Sequence, residues 1–225
     1  MTVKRQLTLD LGHRPASGRE DFLVAPGNKS AVTHIDLWPE WTGHALAIFG
    51  PPGCGKSHLA HVFATRSGAK VIEASDITTS SVSVLVEQNA SLVIESGELV
   101  TDPRALLHLF NAMKEKDGYL LFISRDPPSR WKVALPDLKS RLTAIHALRI
   151  EVPDDAMIEA VLIKLFSDRQ LKVTPEVISY MVQRMDRAFA SARRIVNLAD
   201  LESLAGQRPI SVPLIKRILN VPADS

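Results

Sequence analysis

The chain has 225 residues, 45% of them hydrophobic and 23% charged, which is typical of a globular protein with one large domain or two small ones. The formal net charge of +2 is too small to indicate nucleic-acid binding by bulk electrostatics. Cys54 is the one cysteine, so an internal disulfide is excluded, and neither a signal peptide nor an apolar run of membrane-spanning length is recognisable. We therefore expect a cytoplasmic protein without a membrane partner.

Residues 1–18 are predicted to form a flexible tail, because glycine and proline interrupt them and no helical pattern is present. Within the tail, the segment QLTLDL begins at Gln6 and places three leucines on one side of an extended chain: Leu7, Leu9 and Leu11. An extended peptide of this kind can lie in the groove of a partner, with Gln6 supplying a directed hydrogen bond. The alternative is a disordered tail with chance leucines.

Strands and helices are predicted to alternate from residue 28 to residue 152. The predicted strands are ALAIF (45–49), AKVIEAS (69–75), SLVIES (91–96), YLLFIS (119–124) and HALRIEV (146–152). The predicted helices begin near Asn28 and then cover 57–68, 81–89, 103–118 and 135–144, with Gly68 and Gly118 ending the second and the fourth. This alternation predicts an α/β fold, a parallel sheet with helices on both faces.

After Pro153 the pattern is helical throughout. Four helices are predicted without a strand between them, at 154–170, 175–185, 190–206 and 212–219. Asp154 and Asp155 lie where the first needs an N-cap, and Thr174 does the same for the second. The sequence thus predicts an α/β domain over 19–152 and a small all-helical domain over 153–225.

The segment GPPGCGKS (50–57) has the spacing of a phosphate-binding P-loop and lies between a predicted strand and a predicted helix. Its glycines let backbone N–H groups face phosphate oxygens. Lys56 is expected to neutralise the β- and γ-phosphates, and the Ser57 hydroxyl to ligate Mg²⁺. The expected nucleotide contacts are Gly50, Pro51, Pro52, Gly53, Cys54, Gly55, Lys56, Ser57 and His58.

An acidic residue ends the third predicted strand. Glu95 is expected to hold Mg²⁺ through water, although a plain strand-end charge is the alternative. The next residue is Ser96, which cannot act as a general base at neutral pH without help, and Glu98 follows two residues later. We therefore expect slow ATP hydrolysis by this chain alone.

Spacing leaves the roles of the remaining polar candidates open. Ser124, at a strand end, can sense a γ-phosphate or initiate a turn. Arg141, near the end of its short helix, can reach into a neighbour's nucleotide site or remain a solvated surface residue. Arg193 and Arg194 point about 100° apart on a helix, so one can face a nucleotide while the other meets solvent.

Taken in order, the segments GPPGCGKSHLAHVF, LVIES, FIS, LPDLKSRL and SARRIVNLAD resemble the AAA+ ATPases of the DnaA/Hda family over nearly the whole chain. The resemblance is to the Hda type, the regulatory inactivators of the replication initiator DnaA, in its alphaproteobacterial form. It implies that Glu95 is the Walker B acid, Ser124 the sensor 1 residue and Arg193 the sensor 2 arginine that touches bound nucleotide. It also implies that DFLVAPGN (21–28) cradles adenine and that Gln6–Leu11 docks on the bacterial sliding clamp, the β subunit of DNA polymerase III.

The function implied by the resemblance is negative regulation of replication initiation in the bacterial cytoplasm. With ADP or ATP and Mg²⁺ bound, the chain would dock on the clamp and stimulate hydrolysis of the ATP held by DnaA, with Arg141 acting in trans. A non-catalytic adaptor that recruits DnaA or a relative to the clamp is the alternative. A self-sufficient ATPase is disfavoured by Ser96, sequence-specific DNA binding is least expected, and a homodimer stays open.

Overall fold

Residues 23–206 and 208–220 are described in a computed structural model of the chain. Within them, five strands form one parallel sheet in the order β2-β3-β4-β1-β5. The strands are β1 (Ala45–Phe49), β2 (Lys70–Glu73), β3 (Ser91–Glu95), β4 (Tyr119–Ser124) and β5 (His146–Arg149). The predicted parallel sheet is confirmed, and its order places the end of β4 between the ends of β1 and β3.

Helices cover both faces of the sheet. They are α1 (Lys29–Asp36), α2 (Lys56–Ser67), α3 (Val82–Gln88), α4 (Pro103–Glu115) and α5 (Pro136–Ala144). Successive strand residues point to opposite faces, so in β4 Leu121 and Ile123 pack with α1 and α2, whereas Leu120 and Phe122 pack with α3, α4 and α5. Burial on both faces explains why the strands are continuous apolar runs.

The C-terminal part is helical, as the sequence predicts. It contains α6 (Asp155–Asp168), α7 (Pro175–Val182), α8 (Phe189–Gly206) and α9 (Val212–Leu219), which share a hydrophobic cluster of their own. Asp154 caps α6, because its side chain accepts a hydrogen bond from the Met157 amide at 2.8 Å. Thr174 occupies the N-cap position of α7, as predicted, but its side chain makes no capping hydrogen bond.

Several predicted boundaries differ from the structure by one to three residues, and two of these differences have a clear physical cause. Helix α4 ends at Glu115, and Asp117, with φ of 57°, takes the left-handed conformation that the sequence assigned to Gly118. Gly118 lies in a tight place instead, since a Cβ there would lie 3.0 Å from the Ala90 carbonyl oxygen and 3.2 Å from that of Met113. Strand β5 ends at Arg149, short of the predicted residue 152, because the Glu151 amide donates to the Gly27 carbonyl at 3.0 Å.

Candidate functional site

The loop between β1 and α2 is shaped by two close approaches. A Cβ on Gly50 would lie 2.3 Å from the Ile150 carbonyl oxygen, where the chain leaves β5. Gly53 has φ of 75°, and a Cβ there would lie 2.5 Å from Ala188 Cβ. The glycine spacing of GPPGCGKS therefore lets two other segments, the end of β5 and the residues before α8, contact the loop.

The start of α2 faces the end of β3. Ser57 Oγ donates a hydrogen bond to Glu95 Oε2 at 3.4 Å, while Lys56 Nζ donates to the carbonyls of Gly50 and Pro51, each at 2.8 Å. Burial raises the pKa of Glu95, as does the charge of Glu73, whereas the Ser57 hydrogen bond and Lys56 lower it. Glu73 is the register partner of Glu95 on β2. The structure thus brings together Lys56, Ser57 and Glu95.

Cys54 lies inside the loop and is 1% exposed. Burial raises the pKa of its thiol, although Lys56 Nζ, 3.9 Å from Sγ, opposes the shift. A buried, protonated thiol packs as a small apolar residue and is a poor nucleophile.

The acid that follows β3 contacts the segment after β4. Glu98 lies in a 3-10 turn (Gly97–Leu99), where its Oε1 accepts the Arg125 amide at 3.2 Å. Its Oε2 is buried and has no hydrogen-bond partner among the described residues. Glu98 therefore joins the turn after β3 to the residues after β4.

Ser124 ends β4 and is 2% exposed. Its hydroxyl donates to the Asp126 carbonyl at 2.8 Å, and Trp131 Nε1 donates to the same carbonyl at 2.9 Å. This contact is the one expected of a turn-initiating serine. The predicted role of Ser124 as a phosphate sensor stays a prediction.

The helical part contacts the phosphate loop directly. The Phe189 amide, at the start of α8, donates to the Gly53 carbonyl at 3.0 Å. Four residues further along α8, the Arg193 guanidinium donates to His58 Nδ1 on α2. Burial, together with the positive charge of Arg169, lowers the pKa of Arg193. The structure thus places Arg193 and His58, two of the predicted contacts, side by side.

A cavity of about 250 Å³ lies beside the loop, between the α/β part and the helical part. Its lining comes from four separated segments: Ala25, Pro26, Gly27 and Asn28; Cys54; Ile150, Glu151, Val152, Pro153, Asp154 and Met157; and Phe189. Asn28 is 5% exposed and braces the first segment, since Oδ1 accepts the Ala25 amide at 2.8 Å and Nδ2 donates to the Leu23 carbonyl at 2.9 Å.

Comparison with known proteins agrees with this geometry. The family model of the Hda lid domain matches residues 154–219, and the model of the AAA family, ATPases associated with various cellular activities, matches residues 46–124. Together the two matches support an Hda-type AAA+ protein related to DnaA. An "Uncharacterized protein" of Haemophilus influenzae is 29% identical over 188 residues, which are 77% of this chain and 80% of that protein.

Solved structures share the AAA+ fold. Domain III of the Thermotoga maritima replication initiation protein DnaA has a TM-score of 0.77 at 17% identity, over 92% of this chain and 99% of that one. AMPPCP-bound DnaA from Aquifex aeolicus has a TM-score of 0.71 at 19% identity, over 85% and 67% respectively. At these identities the likeness shows the fold alone.

Arg141 of this AAA+ chain lies on α5, apart from the contacts around Lys56. Its Nε donates to Asn111 Oδ1 on α4 at 2.8 Å, and its Nη1 donates to the Asp137 carbonyl at 3.2 Å. Asn111 was not singled out from the sequence, because no motif or spacing marks it. The four residues of the predicted clamp-binding peptide lie outside the described residues: Gln6, Leu7, Leu9 and Leu11.

No group of three or more His, Cys, Asp or Glu side chains in the described residues could hold a metal ion. Ser57 and Glu95 nevertheless fit Mg²⁺, because this ion prefers oxygen ligands, keeps several waters and takes phosphate oxygens as further ligands. Among the described helices, none has the length and apolar character needed to cross a bilayer.

Proposed function

We propose that this AAA+ chain binds an adenine nucleotide with Mg²⁺ and, in that form, restrains DNA replication initiation by promoting hydrolysis of DnaA-bound ATP. The observation that supports it most strongly is the joint construction of the phosphate site. An Hda-type lid contacts the AAA loop through Phe189 and Gly53 and contacts the next helix through Arg193 and His58.

The nucleotide would lie across both parts of the chain. Its phosphates would accept hydrogen bonds from the loop amides and from Lys56, at the positive end of α2. Ser57 and Glu95 would hold Mg²⁺, which neutralises phosphate charge. The adjacent 250 Å³ cavity would take the base, because it is concave and lined largely by apolar side chains and backbone. AMPPCP bound to DnaA of the same fold supports an adenine nucleotide, ADP or ATP.

Hydrolysis by the chain itself would be slow. A carboxylate or imidazole is the usual general base for water, and Ser96 offers neither. Glu98, the next acid along the chain, already accepts the Arg125 amide. The bound nucleotide would therefore act mainly by holding the lid against the loop.

Arg141 is the residue that we propose to reach the ATP of DnaA. A guanidinium has five N–H donors, and the contacts with Asn111 and the Asp137 carbonyl leave donors for a phosphate. An arginine supplied in trans stabilises the charge of the phosphoryl-transfer transition state.

A DnaA-ATP hydrolysis assay, with and without DNA-loaded clamp, tests this role. Arg141→Ala should lower the stimulated rate by about 10³-fold or more, the range found for arginine fingers, while ADP affinity stays unchanged. Lys139→Ala, on the exposed side of the same helix, is the matched control and should keep full stimulation. Intact stimulation by Arg141→Ala would refute the assignment.

The same assay tests clamp docking. Deleting residues 1–11 should remove the dependence of stimulation on loaded clamp, because QLTLDL is the proposed docking peptide. A short peptide binds weakly by itself, so two copies on a ring-shaped clamp would gain from avidity. Unfolding and ADP binding should not change. Clamp-dependent stimulation by the shortened chain would exclude the peptide as the docking element.

A non-catalytic adaptor is the second candidate, and one observation favours it. The Arg141 guanidinium is already bound by Asn111 and the Asp137 carbonyl within its own chain. An adaptor would bring DnaA to the clamp equally well with Arg141→Ala, and the unmodified chain would not accelerate hydrolysis. Measuring recruitment and hydrolysis in parallel separates the two functions.

A further inference from the structure

A second arginine lies beside Arg193 in the helical part. Arg169 directly follows α6, and its Nη2 donates to Asn197 Oδ1 at 2.6 Å while its Nη1 donates to the Leu165 carbonyl at 3.1 Å. Asn197 is four residues after Arg193 on α8, so the two side chains are neighbours on one face of that helix. The Arg169 guanidinium is therefore fixed next to the Arg193 side chain.

Nearby acids do not offset the two positive charges. In residues 23–206 and 208–220, no ion pair includes Arg169 or Arg193. The acid next to Arg169 in the sequence, Asp168, is paired with Lys164 at 3.2 Å. The charge of Arg169 also lowers the pKa of Arg193, so the two guanidinium groups interact. Like charges held close together repel each other, and this repulsion is weakened by solvent because Arg193 is exposed and Arg169 only partly buried.

The two arginines differ in how firmly they are held. Arg169 is tied to a carbonyl of α6 and to an amide of α8, whereas the Arg193 guanidinium donates across the cleft to His58 Nδ1. Repulsion therefore acts mainly on Arg193. It directs that side chain away from α6 and towards the start of α2, where His58 follows Lys56 and Ser57.

We propose that Arg169 is a positioning residue whose fixed charge keeps the Arg193 guanidinium turned towards His58 and the phosphate loop. A phosphate group bound there would offset the repulsion between the two arginines, so anion binding would favour contact between lid and loop. The inference rests on the proposed nucleotide site, and it concerns phosphate affinity and not the hydrolysis of DnaA-bound ATP.

Nucleotide binding by full-length variants tests whether the charge of Arg169 matters. Arg169→Gln removes the charge but keeps an amide that can hydrogen-bond. It should weaken ADP binding about tenfold, the scale of one partly screened charge. Arg169→Lys keeps the charge and should restore most of the affinity. Adenosine, which has no phosphate, should bind all variants equally. Arg217→Gln, which removes the same charge from α9, is the matched control and should bind ADP normally.

A double-mutant cycle tests the route through Arg193. Arg169→Gln should have no further effect on ADP affinity once Arg193→Ala is present. Asn197→Ala loosens Arg169 at an exposed position without removing charge, so it gives a second measurement if Arg169→Gln folds poorly. Asn197→Ala should weaken ADP binding less than Arg169→Gln does, and only in a chain that retains Arg193.

Three results would overturn the inference. Equal weakening by the Gln and Lys variants would show that Arg169 is only a hydrogen-bonded anchor of α8. Full additivity with Arg193→Ala would show that Arg169 acts independently of Arg193. A failure of the unmodified chain to bind ADP would overturn the proposed nucleotide site as well, whereas normal binding with either of the first two results would overturn this inference alone.

Discussion

At Gly53 the absence of a side chain brings the lid onto the phosphate loop. The residue adopts φ of 75°, and its carbonyl accepts the Phe189 amide. Ala188 occupies the space that a Cβ at 53 would take. One position of the loop therefore serves two purposes, the left-handed turn of the backbone and the seating of α8.

Replacing Gly53 should disturb both the backbone turn of the loop and the seating of α8. Gly53→Ala places a Cβ 2.5 Å from Ala188 Cβ and forces alanine into a left-handed conformation. Overpacking costs about 1–3 kcal/mol and the left-handed conformation about 1–2 kcal/mol, so we expect a clear loss of stability and at least a tenfold loss of ADP affinity. Urea unfolding and ADP titration measure the two effects.

Gly43→Ala is the matched control, because a Cβ at this position would have nothing within 4 Å of it and the φ of Gly43 is not in the left-handed range. It should change the free energy of unfolding by less than about 0.5 kcal/mol. If Gly53→Ala behaved like this control, the contact of the lid with the loop would not depend on Gly53.

At the scale of elements, the sequence predicted β1 and β4 to the residue, because each is a continuous apolar run bounded by turn residues. It also predicted that GPPGCGKS lies between a strand and a helix, which the structure confirms with β1 and α2, whereas phosphate binding by this segment stays a prediction. The cavity could not be predicted in the same way, because its lining comes from segments that only tertiary structure brings together. Arg169 belongs to no motif, and its neighbours lie on a helix about 25 residues away in the chain.

Helix ends show the same limit of prediction from sequence, because a suitable residue at the N-cap position does not always form a capping hydrogen bond. Asp102 caps α4, as its Oδ1 accepts the amides of Ala105 at 3.0 Å and Arg104 at 3.1 Å, and its Oδ2 accepts the Thr79 hydroxyl at 3.1 Å. The Ala105 amide is the main cause of the lowered pKa of Asp102. At Thr174 the residue type is suitable and the position is right, yet no capping bond forms.

The stability that Asp102 contributes should depend on pH. Because its pKa is lower in the folded chain than the value of about 3.9 expected when unfolded, the ionised side chain stabilises the fold above that value. This contribution is lost as the pH falls through the lowered pKa. We expect the difference in the free energy of unfolding between the unmodified chain and Asp102→Asn to be largest near neutral pH and to shrink below about pH 4.

Urea unfolding at a series of pH values measures this difference. Thr174→Ala is the control, since it removes no capping hydrogen bond, and its effect should be below about 0.5 kcal/mol and independent of pH. A pH-independent difference for Asp102→Asn would mean that the ionised form of Asp102 has no special role at the start of α4.

For the whole molecule, the proposed ligand spans the junction of the two parts. The phosphates would contact the loop, while the base would fill a cavity whose walls include Asn28 of the α/β part and Met157 and Phe189 of the helical part. A ligand that binds only the folded chain stabilises it by about 2.7 kcal/mol at 100 times its dissociation constant. How that stabilisation is distributed depends on which parts the ligand touches.

The exchange of backbone amide hydrogens should therefore differ between the ADP-bound and the pyrophosphate-bound chain. Both ligands should slow exchange in the loop at 50–57, because both place phosphates there. ADP alone should also slow exchange in the first turn of α6, since only its base reaches the cavity wall at Met157. The two ligands are compared at equal saturation, so that affinity does not enter. Equal protection of α6 by pyrophosphate would mean that phosphate contacts alone hold the lid and that the base binds elsewhere.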